Sequence, residues 1–167
     1  PANIVDWAKT NLEIEPDSVQ TQIMTEQANR IMVLAPRQTG KSTAAAVRVL
    51  FEAVHYDNAA ILLASASGRQ SGQIMEKVRK MARMLEYDLF PPPPSCEGFS
   101  LANGTQVIAL PDNPETVRGF SAPRLIVVDE AAFASEELFK SLEPMLTVSN
   151  GTLMLLSTPN GQNGFFY

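Results

Sequence analysis

At 167 residues with 45% hydrophobic side chains, the chain has the size of one domain and enough apolar material for a full core without disulfides or metals. Its one cysteine, Cys96, excludes an internal disulfide, and its one histidine, His55, cannot anchor a histidine-rich zinc site, so a reducing compartment is expected. Thirteen basic against eighteen acidic residues leave a net charge of −5, which argues against wrapping in nucleic acid by bulk electrostatics and restricts any DNA contact to local patches. No apolar run approaches the roughly 20 residues that span a bilayer, and the N-terminal "PANIVDWAKTNLEIEPDS" lacks the charged start and apolar stretch of a signal peptide. A soluble, intracellular protein without membrane contact is expected, with residues 1–18 as a lead-in to a single domain over 1–167.

In chain order, "IMVLA" (Ile31 to Ala35) reads as a buried strand, and "STAAAVRVLFEAVHY" from Ser42 as the helix after it. "AAILLASA" (Ala59 to Ala66) is a second strand, followed by a helix over Ser71 to Tyr87 with Ile74, Val78, Met81 and Leu85 at helical spacing. Within that helix "EKVRKMAR" is the densest basic stretch. Arg79, Lys80 and Arg83 form either a solvated face or part of a DNA-tracking surface, for which Arg69 and Gln70 are further candidates. "PPPP" (Pro91 to Pro94) must be extended and ends whatever helix precedes it. "FSLANGTQVIAL" (Phe99 to Leu110) places Asn103-Gly104 between two strand-like runs, predicting a β-hairpin. A strand at "RLIVV" (Arg124 to Val128), a helix over Ser135 to Leu146 with one internal proline, and a strand at "GTLMLLS" (Gly151 to Ser157) complete the pattern; the last residues, "NGFFY", resemble the start of another helix. Alternation of strand and helix predicts an α/β fold with a mainly parallel central sheet flanked by helices.

"APRQTGKST" (Ala35 to Thr43) joins the first strand to its helix. Phosphate-binding loops need this context: a strand to deliver the backbone, inward-pointing N–H groups, and a helix N-terminus facing the anion. Gly40 permits close backbone approach, Lys41 is a point charge for the β and γ phosphates, and Ser42 supplies a hydroxyl for Mg²⁺. Ala35 stands where the usual pattern begins with glycine, so the turn leaving the strand is expected to differ locally. A G-K-S triplet alone is a weak signal, and a basic surface turn is its alternative.

"LIVVDEAAF" supplies an independent signal. An apolar strand running into Asp129 puts a carboxylate at the sheet edge, where it can hold Mg²⁺, and Glu130 beside it can orient and activate a water. Two acids capping the next helix are the bland alternative, which does not account for the four apolar residues leading into them. "LLSTPNG" ends another buried strand in Ser157 and Thr158, whose hydroxyls can sense a γ-phosphate and pass the change beyond Pro159; a plain turn is the alternative. Two arginines are candidates to stabilise charge on a transferred phosphate: Arg37 inside the loop, and Arg118 in "PETVRGFS", which can reach a neighbouring subunit. Each can equally form a surface ion pair.

Taken together, "RQTGKST", "ETVRGFSAPRLIVVDEAAF" and "LLSTPNG", in this order and at these separations, resemble the ATPase domain of the large terminase subunit of tailed bacteriophages, the motor that packages DNA into the procapsid. The resemblance covers about Val19 to Tyr167. It implies a P-loop NTPase of the ASCE/RecA-like type, with an extra strand between the phosphate-loop strand and the acidic strand. An arginine in the loop and a non-glycine first position are family traits, with Arg37 as the mark. By resemblance the nucleotide-binding set is Gln20, Arg37, Gln38, Thr39, Gly40, Lys41, Ser42 and Thr43. Ser42 and Asp129 would hold Mg²⁺, Glu130 would be the catalytic base, and Arg118 the arginine finger supplied between subunits. Ser157, Thr158 and Pro159 match the motif that couples hydrolysis to DNA movement. Gln20 is placed like an adenine-reading glutamine, although Val19 stands where many relatives carry an aromatic residue.

The resemblance further implies ATP and Mg²⁺ as ligands, double-stranded DNA and other copies of the chain in a ring as partners, contacts with portal and small terminase subunit, and a place in the cytoplasm of the infected host. The C-terminal nuclease domain of such subunits has no counterpart here, so ATP hydrolysis without DNA cleavage is expected. Two other readings remain at this point: a helicase-like DNA-dependent ATPase fragment, and an assembly module in which nucleotide orders a subunit interface.

Overall fold

A computed structural model of the chain describes residues 2–66, 68–110, 120 and 122–160, with the backbone alone for 68–71. Two helices open it: α1 (Ile4–Leu12), capped by the Asn3 side chain accepting from Val5 N, and α2 (Ser18–Thr25), capped by Asp17 in a reciprocal box with Gln20. The box uses both side chains to satisfy helix-end N–H groups, as a D-x-x-Q spacing allows. The lead-in expected over residues 1–18 therefore contains a folded helix, and Ile4, Ala8 and Leu12 of α1 are buried in the core.

Among the described residues six strands form one sheet. In chain order they are β1 (Arg30–Leu34), β2 (Ala60–Ser65), β3 (Glu97–Ser100), β4 (Gln106–Ala109), β5 (Leu125–Asp129) and β6 (Thr152–Ser157), arranged across the sheet as β1-β6-β5-β2-β4-β3. All pairings are parallel except β3 with β4, which make the expected hairpin. Its loop closes with Leu101 N donating to Thr105 O, and Gly104 takes φ +84°, the left-handed backbone that a three-residue hairpin loop requires. β6 lies between β1 and β5, so the extra strand expected between the phosphate loop and the acidic pair is present.

The helices crossing the sheet are α3 (Lys41–His55), α4 (Gly68–Met84) and α5 (Glu136–Ser149). Alternation along the strands divides the core. Ile61, Leu63, Leu125, Val127, Met154 and Leu156 face α1 to α4, whereas Leu62, Ile126, Val128, Leu153 and Leu155 face α5. On α3, Ala44, Ala45, Ala46, Val47, Val49 and Leu50 are almost fully buried. Pro144 sits inside α5 on its exposed side, where water can satisfy the carbonyl that its missing N–H leaves free.

α4 begins three residues before the predicted Ser71 and ends at Met84, and Glu86 then takes a left-handed φ of +58°. α5 runs to Ser149, where Asn150 at φ +53° ends it. β1 is an edge strand, and its Met32 and Leu34 side chains are more than half exposed.

Candidate functional site

Parallel strands bring the three sequence motifs to one edge of the sheet. β1, β5 and β6 run side by side in parallel, so the residues leaving their C-terminal ends emerge together. Those ends are Leu34 into the loop, Asp129, and Ser157. Crevices outside the carboxyl ends of such strands are where α/β folds bind ligands.

The strand geometry persists one residue beyond β1: Ala35 N donates to Ser157 O at 3.1 Å. Ala35 is buried and has no positive φ, so its place at the start of the motif needs no glycine. The left-handed positions of the loop are Gln38 at φ +61° and Gly40 at φ +76°. Gly40 is the N-cap of α3 and supplies no side-chain acceptor, so the first-turn N–H groups, including those of Ser42 and Thr43, remain available to an anion. Lys41 is 6% exposed. Its ammonium donates to the neutral Pro36 carbonyl at 3.3 Å, and the same carbonyl accepts from Thr39 Oγ1 at 3.0 Å. A buried ammonium whose hydrogen bond goes to a neutral acceptor can be completed by an incoming anion.

Arg37 and Gln38 stand exposed on the loop. Gln20 approaches from α2: its Nε2 donates to Gly40 O at 3.3 Å, while its Oε1 accepts from Asp17 N at 3.1 Å. Both ends of the amide are thus engaged, and α2 is fastened to the loop through it.

Across the sheet edge, Asp129 is buried, and its Oδ1 accepts from Glu130 N at 2.9 Å. Burial raises its pKa, and the neighbouring Glu130 charge adds to the rise; the Glu130 N–H and the Lys41 and Lys77 ammoniums oppose it. Such a carboxylate is poised to gain a cation. Glu130 takes a left-handed φ of +50° at the head of a 3-10 turn, Ala131–Phe133, which turns the chain sharply beside the strand end. Thr158 Oγ1 donates to Glu130 Oε2 at 3.4 Å. Ser157, fully buried, accepts from Ala132 N at 3.2 Å and donates to the Thr158 carbonyl at 2.9 Å. The motif at the end of β6 is therefore tied to the turn that carries the acids.

Arg118 lies outside the described residues, as do the side chains of Arg69 and Gln70 and the helix expected at the C-terminal end. Arg79 pairs with Glu76 at 2.8 Å and donates to Gly98 O at 3.0 Å, fastening α4 to β3, whereas Lys80 and Arg83 are exposed. Sequence reading passed over Lys77, whose Nζ donates to Thr43 Oγ1 at 3.3 Å. Its place in a run of helix charges carries no signal that distinguishes it from a solvated side chain.

A strand-loop-helix with a buried loop lysine, an acidic pair two strands away, and a strand between them define a P-loop NTPase fold. The family described as "Terminase large subunit, T4likevirus-type, N-terminal" matches residues 32–167, and the chain belongs to that family. It is 27% identical to the large terminase subunit of Thermus virus P23-45 over 93% of its length, and spans 36% of that relative. Among solved structures, the large terminase ATPase domain of Thermus phage P74-26 superposes with a TM-score of 0.82 at 24% identity, covering 100% of this chain and 74% of that one. The large terminase of bacteriophage D6E, solved with ADP, superposes at 0.66 with 12% identity over 84% of this chain and 38% of its own. Among the described residues no helix is long and apolar enough to cross a membrane.

Proposed function

We propose that this chain hydrolyses ATP with Mg²⁺ and that, as the motor part of a terminase large subunit, it uses the reaction to move viral double-stranded DNA into a procapsid. The observation that carries this reading is the meeting, at one sheet edge, of a buried lysine hydrogen-bonded to a neutral carbonyl with a buried carboxylate and a second carboxylate that accepts from the residue after β6. Likeness to a family whose relatives include an ADP complex supports the choice of nucleotide.

The donor set fits Mg²⁺: a buried carboxylate at Asp129 and a hydroxyl at Ser42 are hard oxygen ligands, and burial keeps the Asp129 pKa raised despite the Lys41 and Lys77 ammoniums. Bound there, the ion would neutralise charge on the phosphate oxygens. Lys41 leaves the Pro36 carbonyl for the phosphates, and the first-turn N–H groups of α3 bind the same anion. Glu130 orients the attacking water and takes its proton. Arg37 approaches from the loop of the same chain, and Arg118 from a neighbouring copy in a ring, to stabilise charge on the transferred phosphoryl group. Ser157, Thr158 and Pro159 carry the change at Glu130 toward the DNA-moving part, and Lys80 and Arg83 offer local contacts to DNA. Portal and small-subunit contacts follow from the family reading.

Steady-state ATPase activity against protein concentration tests this, using wild type, Glu130→Gln and Arg118→Ala, alone and mixed. Specific activity that rises with concentration, disappears in each variant and partly returns on mixing supports a shared site with Arg118 acting in trans. Activity independent of concentration and retained in Arg118→Ala confines catalysis to one subunit and removes the support for a ring motor.

A further inference from the structure

α4 packs along α3 on the same face of the sheet, with Ile74, Met75 and Val78 buried against the common core. Between these apolar positions Lys77 is exposed, and its Nζ reaches Thr43 Oγ1 at 3.3 Å. Thr43 follows Ser42 in the first turn of α3, the turn whose N–H groups face the loop. An exposed lysine held on a neutral hydroxyl gains little stability, because ordering its long side chain costs rotamer entropy comparable to what one hydrogen bond returns. The same ammonium is close enough to act on Asp129 across the site, in the same direction as Lys41. Lys77 thus brings a further positive charge to the loop from an element outside all three sequence motifs.

We propose that Lys77 is a positioning residue of the triphosphate site, which acts through Thr43 to hold the first turn of α3 and adds positive charge beside the loop for the polyanion. This rests on the ATP-site reading above. It ties α4, which also carries exposed Lys80 and Arg83, to the state of the nucleotide loop.

The test compares wild type with Lys77→Ala, Lys77→Arg, Thr43→Val and the Lys77→Ala/Thr43→Val double variant. For each, the Kd for ATPγS with Mg²⁺, KM and kcat for ATP, and Tm would be measured. Lys77→Ala is expected to raise Kd and KM about tenfold with a smaller change in kcat, and Lys77→Arg to recover most of the loss. The double variant should be no worse than the poorer single variant, because both remove one interaction. Lys77→Ala with Kd within about twofold of wild type, or additive losses in the double variant, overturns the proposal while wild-type binding keeps the ATP site standing. Loss of Tm in Lys77→Ala without a change in Kd shows a tie between helices only and equally overturns it. A wild-type chain that binds no ATPγS overturns both readings.

Discussion

Thr158 Oγ1 donates to Glu130 Oε2 at 3.4 Å, joining the end of β6 to the acid that follows β5. The bond is reinforced from below by Ser157, which bonds to Ala132 N of the turn behind Glu130. Thr158→Val keeps the shape but removes the donor, leaving the carboxylate free to swing. An account in which Glu130 must be held toward a water predicts that kcat falls about tenfold while KM stays within about twofold of wild type. Initial rates across ATP concentrations separate the two quantities, and an increase in KM alone would move Thr158 from orienting the acid to binding substrate.

Asp129 has a folded pKa raised above its ordinary value, chiefly by burial. In the window between the unfolded and folded values the native state binds more protons than the unfolded state, so stability falls as pH rises through it. Above that window the ionised, buried carboxylate is a standing cost. Asp129→Asn is therefore expected to raise the Tm of the nucleotide-free, metal-free protein at pH 7, with a gain that shrinks as pH falls through that window and is gone below the ordinary carboxylate value. Thermal melts at several pH values with a chelator present check this; a lower Tm for the variant at pH 7 would show that the carboxylate is already compensated.

Far from the loop, Arg48 and Glu52 of α3 form a buried pair at 3.3 Å, and Glu52 also pairs with Arg124 at 2.9 Å. Arg48 Nη1 donates to Glu26 O at 2.7 Å and to Ile23 O at 3.3 Å, so this guanidinium satisfies carbonyls at the end of α2. Arg124 in turn lies over the Tyr56 ring at 3.2 Å from its centroid. Arg48→Met leaves the buried Ile23 carbonyl and half of the buried Glu52 carboxylate unpaired, at an expected cost of about 3 kcal/mol. For a chain of this size that is a drop in Tm of about 6–12 °C. Adding Glu52→Gln should restore part of the loss, and a single variant that melts with wild type would show the network to be exchangeable with apolar packing.

Gly40 has φ +76°, and a Cβ placed there would lie 2.3 Å from Gln20 Nε2. Gly40→Ala thus meets two obstacles, a left-handed backbone costing about 1–2 kcal/mol and a collision with the prop from α2. Gln20→Ala relieves only the second. The double variant is expected to recover part of the Tm lost by Gly40→Ala but none of its ATPγS affinity, since the loop backbone stays strained. Equal Tm for Gly40→Ala and the double variant, with Gln20→Ala alone melting as wild type, would assign the whole cost to the dihedral.

Much of this arrangement is legible along the chain because the central strands β2, β5 and β6 are buried on both faces, whereas β1, expected to be buried, exposes one face as an edge strand. Continuous apolar runs such as "LIVV" and "LMLLS" mark them, and the residue ending each run marks the sheet edge, so Asp129 and Ser157 could be placed before any coordinates. The order of the strands is less local: an extra strand between β1 and β5 is expected from a catalytic glutamate directly after the aspartate, but that it is β6 is not, since periodicity says nothing about which strands are neighbours. α1 and α2 were passed over although Asp17 and Gln20 have capping-box spacing, because eight or nine residues give too few turns for a convincing apolar stripe. Gln20 was read for its base-recognition chemistry; its hold on Gly40 arises from tertiary packing of α2 on α3. Lys77 was missed for the same reason, since only the packing of α4 on α3 separates it from its solvated neighbours.

The central claim, that Lys41, Asp129 and Glu130 constitute a working ATP-hydrolysing site, is tested most directly by measuring ATP turnover and ATPγS binding together in wild type and Glu130→Gln. The account predicts Mg²⁺-dependent turnover in wild type, and in the variant a loss of turnover of at least about a hundredfold with ATPγS affinity retained. Turnover that survives in Glu130→Gln, or a wild-type protein that binds ATPγS tightly yet hydrolyses no ATP at any protein concentration, would contradict it.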